Sequence, residues 1–134
     1  MTELTGVKKI GFYIVLIALS TVFLMAGGSK LSGAEMHVES FTRYGLPIAF
    51  MYFIGVAEVA GAIGLWISRV SALAAMGLII IMFGAVAMHV IFDPVTMAIP
   101  AIVFTILLSI IVKVMFPKFK INVGKQNNSE NSLA

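Results

Sequence analysis

An acid in the middle of an apolar run needs a chemical explanation, and Glu58 is such a residue, set in Val56-Ala57-Glu58-Val59-Ala60-Gly61-Ala62. An ionised carboxylate near the centre of a bilayer costs at least about 3 kcal/mol, so it must be paired, hydrated or protonated. Helical steps put Met51, Gly55, Gly61, Ala62 and Leu65 on its face, and small residues there let a neighbouring helix approach closely. Glu58 therefore points into a bundle rather than at lipid. It either bonds to an adjacent helix or belongs to a site for a proton, an ion or a headgroup.

His89 stands about one turn before the end of another apolar run, with Met82, Ala85 and Val86 on its helical face. It either lines the same cavity or bonds locally, to a carbonyl or to Glu58 itself. One intramembrane histidine cannot supply both axial ligands of a bis-histidine haem, and without cysteine it makes no zinc site unless several carboxylates join it. No metal is expected. Lys30 follows Gly27-Gly28-Ser29. It is either a snorkelling anchor or folds inward toward Glu58, which simple rise arithmetic puts ~15 Å below the outer interface. Folding inward would ask for a fully extended side chain and backbone unwound at the two glycines. The expected binding residues are thus Lys30, Glu58 and His89, in an enclosed polar cavity opening to the outer leaflet, with His89 on its wall and Lys30 near its mouth. His37 reads as plain surface.

The elements that position these residues are transmembrane helices. Of 134 residues, 60% are hydrophobic and 11% charged, with a mean hydropathy of +1.08, so water is not the main solvent of this chain. A span takes ~20 apolar residues, which leaves room for about four. The expected fold is all-α: an integral membrane four-helix bundle with spans at about 10–28, 46–67, 72–92 and 95–116. It forms one domain over 1–117, followed by a polar cytoplasmic tail, 118–134, rich in Asn and Ser and largely disordered. The first block, after Lys8 and Lys9, resembles a signal peptide but lacks an A-x-A cleavage pattern and is read as a retained span. Ser32-Gly33-Ala34-Glu35 has the form of a capping box and opens a short interfacial helix between spans 1 and 2, ended by Gly45 and Pro47. Asp93-Pro94 closes the third span and supplies an N-cap and N1 proline to the fourth. Pro100 either kinks that helix near Thr96 or marks its first turn, and Pro117 ends it.

Orientation follows from the basic residues, which are retained on the cytoplasmic side. With both termini inside, Lys8, Lys9, Arg69, Lys113, Lys118, Lys120 and Lys125 are cytoplasmic, leaving Lys30 and Arg43 outside. The expected location is the cell inner membrane, and the lipid bilayer is the first partner. The net charge of +3 is explained by these flanking lysines, so no nucleic acid partner is expected. Trp66 reads as an interfacial anchor.

Phe23-Leu24-Met25-Ala26-Gly27-Gly28-Ser29-Lys30-Leu31 resembles the G-x-x-K-[LF] motif of the DoxX-like family. The Phe41 to Pro47 approach to a span carrying Glu58, and a third span ending in His89, complete an ordered likeness over about residues 10–116. The resemblance implies a small bacterial inner-membrane protein of four spans, with Gly27, Lys30, Glu58 and His89 as its marked positions. Family members include subunits of quinone-linked oxidoreductases and of oxidative-stress complexes, and related animal proteins assist receptor assembly.

Three functions follow. The first is a redox-associated membrane subunit, catalytic or not in its own right, whose polar pocket binds a quinone or relays protons for an oxidoreductase partner. Cysteine is absent, which excludes the thiol chemistry of four-span enzymes resembling vitamin K epoxide reductase, so electrons must come from a partner or bound cofactor. The second is a non-catalytic scaffold or assembly factor that docks another membrane protein. The third is a small proton-coupled transporter, disfavoured because the small multidrug resistance family carries its acid in the first span.

Overall fold

The computed structural model describes residues 5–134; residues 1–4 of the expected 1–117 domain lie outside the described residues. Five α-helices follow one another: α1 (Gly6–Leu31), α2 (Glu35–Arg43), α3 (Ile48–Gly64), α4 (Ser71–Phe92) and α5 (Ile99–Leu133), with a 3-10 turn at Val95–Ala98 before α5. Among the described residues there is no strand. By length and composition α1, α4 and the unit Val95–Leu133 are apolar enough to cross a membrane, and α3 is a shorter apolar helix of 17 residues. At 1.5 Å per residue α3 is about 25 Å long, the low end for a span.

The core is written in helical spacing. Leu16, Leu19, Phe23 and Gly27 of α1, Met51, Gly55, Glu58 and Ala62 of α3, Ala72, Ala75, Leu78 and Met82 of α4, and Ala101, Leu108, Ile111 and Met115 of α5 are all buried. The remaining faces are also apolar: Ile14, Phe53, Val56, Ile80, Phe83 and Ile106 are all exposed. A helix apolar all round is solvated by lipid. The most extensive packing joins α1 to α3 and α4 to α5; α3 against α4 and a smaller α1–α5 contact complete the circuit.

Close approach depends on glycine. A Cβ on Gly27 would lie 2.7 Å from the Gly55 carbonyl oxygen, and one on Gly55 would lie 3.0 Å from that of Gly27, so α1 and α3 meet backbone to backbone. Between α3 and α4, a Cβ on Gly61 would meet Leu78 at 2.7 Å and one on Gly64 would meet Ala74 at 2.9 Å.

Helix ends depart from expectation in three places. Ser32 does not cap α2: it is the C-cap of α1, its hydroxyl donating to the Ser29 carbonyl at 2.8 Å. Gly33, at φ +71°, donates to Lys30 O and Ala34 donates to Ser29 O, a Schellman ending in which glycine supplies the left-handed turn. The same pattern at Gly45, with bonds to Thr42 O and Phe41 O, ends α2 where expected. Asp93 is likewise no N-cap for the following helix. Pro94 forces it extended (φ −123°, ψ 169°), so it caps the end of α4 instead. Pro100 sits in the first turn of α5, the second of its two expected placements.

Finally, α5 does not stop at Pro117 but runs through it to Leu133, and residues 118–133 are helical where the composition predicts irregular chain. Proline removes one backbone bond, to the Lys113 carbonyl. Apolar contacts carry the helix past it: Phe119 packs on the core and against Phe116, at 6.1 Å between rings.

Candidate functional site

Lys30 and Glu58 meet. The Lys30 ammonium donates to Glu58 Oε2 at 2.9 Å, with the two side chains 12% and 3% exposed. The expected unwinding at Gly27-Gly28 is absent: α1 stays helical to Leu31, and Lys30 Cβ lies beside Gly55, one turn before Glu58 on α3. Contacts between rising positions of α1 and falling positions of α3 show that the two helices are antiparallel. Side chains on each helix tilt toward its own N-terminus, so on antiparallel neighbours the lysine leans inward and the glutamate outward, toward each other. Of the two readings of Lys30, the inward one holds, without the unwound backbone it was expected to require.

The pair is charge-neutral as a unit, which lowers the cost of burying it, and it keeps unused capacity. An ammonium has three donors and Glu58 a second oxygen. That oxygen accepts no hydrogen bond from the described residues. Among the described residues no side-chain nitrogen or oxygen is both buried and unpartnered, so the second oxygen keeps an open side. The pair can therefore take one further acceptor and one further donor.

His89 does not join this pair. Its Nδ1 lies 2.7 Å from Asp93 Oδ2, one helical turn on, and no hydrogen bond or ion pair among the described residues links it to Glu58. Tyr44 donates to the same Asp93 oxygen at 2.6 Å, and Arg43 forms an ion pair with Oδ1. The Tyr44 ring meets His89 edge-on at 6.5 Å. Hydrogen bonds from Tyr44, then from His89, hold the Asp93 carboxyl below the ordinary carboxylate range, with Arg43 adding to them against the opposing effect of burial. Burial, and then the bond to Asp93, push the Tyr44 hydroxyl up to about 12.

Asp93 is the residue that sequence reasoning missed. The signal for it was the i, i+4 spacing of His89 and Asp93, with the Arg43-Tyr44 pair close by at the same end. His37, expected as plain surface, is half-buried on α2, and burial followed by the Lys30 charge holds its imidazole below the usual value. Trp66 donates its indole N–H to Ser20 Oγ at 2.7 Å and stacks on Tyr13 at 6.4 Å.

No solved structure matches this chain. A protein of Bacillus subtilis (strain 168), named uncharacterized protein YdgD, is 36% identical over 74 residues, covering 51% of this chain and 64% of that protein. The chain thus spans somewhat less than two thirds of that relative. The model of the DoxX-like family matches residues 14–111, a stretch that holds Lys30, Glu58, His89 and Asp93 together with four apolar helices. That match covers well over half of the sequence, and with helices solvated by lipid on their outer faces it makes the chain a multi-pass membrane protein of the DoxX-like family.

Proposed function

We propose that the protein is a quinone-linked membrane subunit, a bundle of four spans in the inner membrane with both termini cytoplasmic. In this reading the Lys30–Glu58 pair binds the headgroup. The observation that carries it is the 2.9 Å pair with a spare ammonium donor and a free carboxylate oxygen. A quinone carbonyl accepts from the lysine and a quinol hydroxyl donates to the glutamate, so both redox forms find a partner. The chain contributes acid–base groups, and electrons pass between the quinone and a partner oxidoreductase. His89, with Asp93 and Tyr44, would serve proton exchange at the outer surface.

The test is extraction of lipids from protein purified in mild detergent. Wild type should carry near-stoichiometric quinone, and Glu58→Gln and Lys30→Met should carry little. Quinone content no higher than that of an unrelated membrane protein purified alongside refutes the reading. Topology is checked separately: a reporter fused after Lys125 should behave as cytoplasmic, and labels between Lys30 and Arg43 should be reachable from outside.

The α3–α4 surface favours a second reading, a scaffold for another membrane protein. A groove of about 490 Å³, with Ala57, Ala60, Gly61, Gly64, Ala74 and Gly77 among its lining residues, faces outward there, and small residues suit helix docking. Stoichiometric co-purification of a membrane protein, undisturbed by Glu58→Gln, would favour this reading over the first.

A further inference from the structure

At the end of the bundle opposite the Lys30–Glu58 pair, the turn between α3 and α4 and the portion of α5 beyond Pro117 line an open hollow of about 320 Å³. Its walls divide by chemistry. Val70, Phe119 and Val123 supply an apolar floor, while Arg69, Asn122 and Gln126 supply polar groups. Phe119, Asn122 or Val123, and Gln126 recur at three- to four-residue spacing, so a single face of the α5 extension forms one side. Arg69 has no ion-pair partner among the described residues, and the Asn122 and Gln126 side chains make no hydrogen bonds there.

Position identifies the ligand. The turn that carries Trp66 and Arg69 joins two apolar helices, so it lies at a membrane surface, where Trp is enriched and where a lipid presents its glycerol and phosphate to water and its acyl chains to the protein. Lys118, Lys120 and Lys125 lie on the same extension, and its acid, Glu130, comes one turn past Gln126. The surrounding potential is positive.

We propose that this hollow is a binding site for the headgroup of an anionic phospholipid. Arg69 pairs with the phosphate, the Asn122 and Gln126 amides bond to phosphate or glycerol oxygens, and the first methylenes of the acyl chains lie on Phe119 and Val123. Basic hollows between membrane helices at this depth suit anionic headgroups, and a fork of guanidinium donors fits a phosphate. The apolar floor distinguishes a lipid from a free phosphate ion, which would gain nothing from it. Phosphatidylglycerol is the simplest such lipid. The site is independent of quinone binding, and in detergent it does not depend on which way the protein faces.

The test uses the full chain in mild detergent and thermal unfolding during titration with phosphatidylglycerol, phosphatidylcholine or inorganic phosphate. Phosphatidylglycerol should raise the unfolding temperature at concentrations roughly tenfold lower than phosphatidylcholine. Arg69→Gln should remove most of that preference, since one charge-assisted contact is worth roughly tenfold or more in affinity. A Lys8→Gln, Lys9→Gln double variant, with its charges removed elsewhere, should keep the preference. Equal response to the two lipids, an unchanged preference in Arg69→Gln, an equal loss in the Lys8, Lys9 double variant, or full stabilisation by inorganic phosphate would each overturn the assignment.

Discussion

Two neighbouring glycines should respond to alanine in opposite directions. On Gly27 a methyl group would lie 2.7 Å from the Gly55 carbonyl oxygen and 2.8 Å from Val59 Cγ2. A carbon against a carbonyl oxygen is comfortable only beyond about 3.3 Å, so α1 and α3 must separate by about 0.6 Å. The obstacle is backbone and cannot rotate away. Overpacking of this kind costs about 1–3 kcal/mol, of which the better helix propensity of alanine offsets about 1 kcal/mol. The expected net loss for Gly27→Ala is about 0–2 kcal/mol. Gly28, the next residue, has nothing within 4 Å of its imagined Cβ, so Gly28→Ala should gain about 0.5–1 kcal/mol. Reversible unfolding in mixed micelles, followed by Trp66 fluorescence, measures both, and the two variants should differ by about 2 kcal/mol. Equal stabilities would mean that α1 and α3 do not meet at this glycine. The separation also stretches the Lys30–Glu58 bond one turn away, so Gly27→Ala and Glu58→Gln should combine non-additively.

Lys30→Met strands a carboxylate and should cost about 3 kcal/mol, the low end for a broken buried pair because the lysine keeps some exposure. Lys30→Met with Glu58→Leu should recover most of that loss in the same assay, and a double variant as unstable as the single would show that the pair is not coupled. Gly61→Leu drives a side chain into buried Leu78, 2.7 Å from the nearest Cβ position, and should cost about 1–3 kcal/mol, while Gly77→Ala, with nothing within 4 Å, should not destabilise. For Asp93 the folded value lies below the ordinary 3.8, so its stabilisation is complete above that pH and is lost as pH falls through the lower folded value. Unfolding followed from pH 6 to pH 3 should show this acid loss in wild type and lack it in Asp93→Asn.

Much of this arrangement was legible in the chain. The cost of a buried acid places Glu58 inside the bundle, and the small residues around it mark where another helix comes close. The lysine pairing stays open in the sequence because reach depends on the direction in which side chains lean, which a count of residues along the membrane normal omits. Ser32 misled because the four letters of a capping box also fit the end of a preceding helix, and the left-handed Gly33 decides between the two. Asp93 is hidden in the sequence because two of its three partners come from residues 43 and 44, and only the fold, which seats α2 on α3 and α1, brings its last residues to the end of α4. Pro117 marks a breaker in the sequence, but aromatic contacts on either side outweigh the loss of a single backbone bond.

The directional side-chain bonds are unevenly distributed around the bundle. At its middle and near its last turn α1 is keyed to the α3 segment, by Ser20 to Trp66 and by Lys30 to Glu58, and Asp93 at the end of α4 is clasped by Arg43 and Tyr44. The hydroxyls of Thr105 and Ser109 on α5 turn back onto its own carbonyls, and among the described residues no side-chain hydrogen bond ties α5 to another helix. A small slide of α5 along its axis would therefore break no side-chain hydrogen bond to another helix; what resists it is shape, the extensive packing of α5 on α4 with Leu108 and Ile111 fully buried.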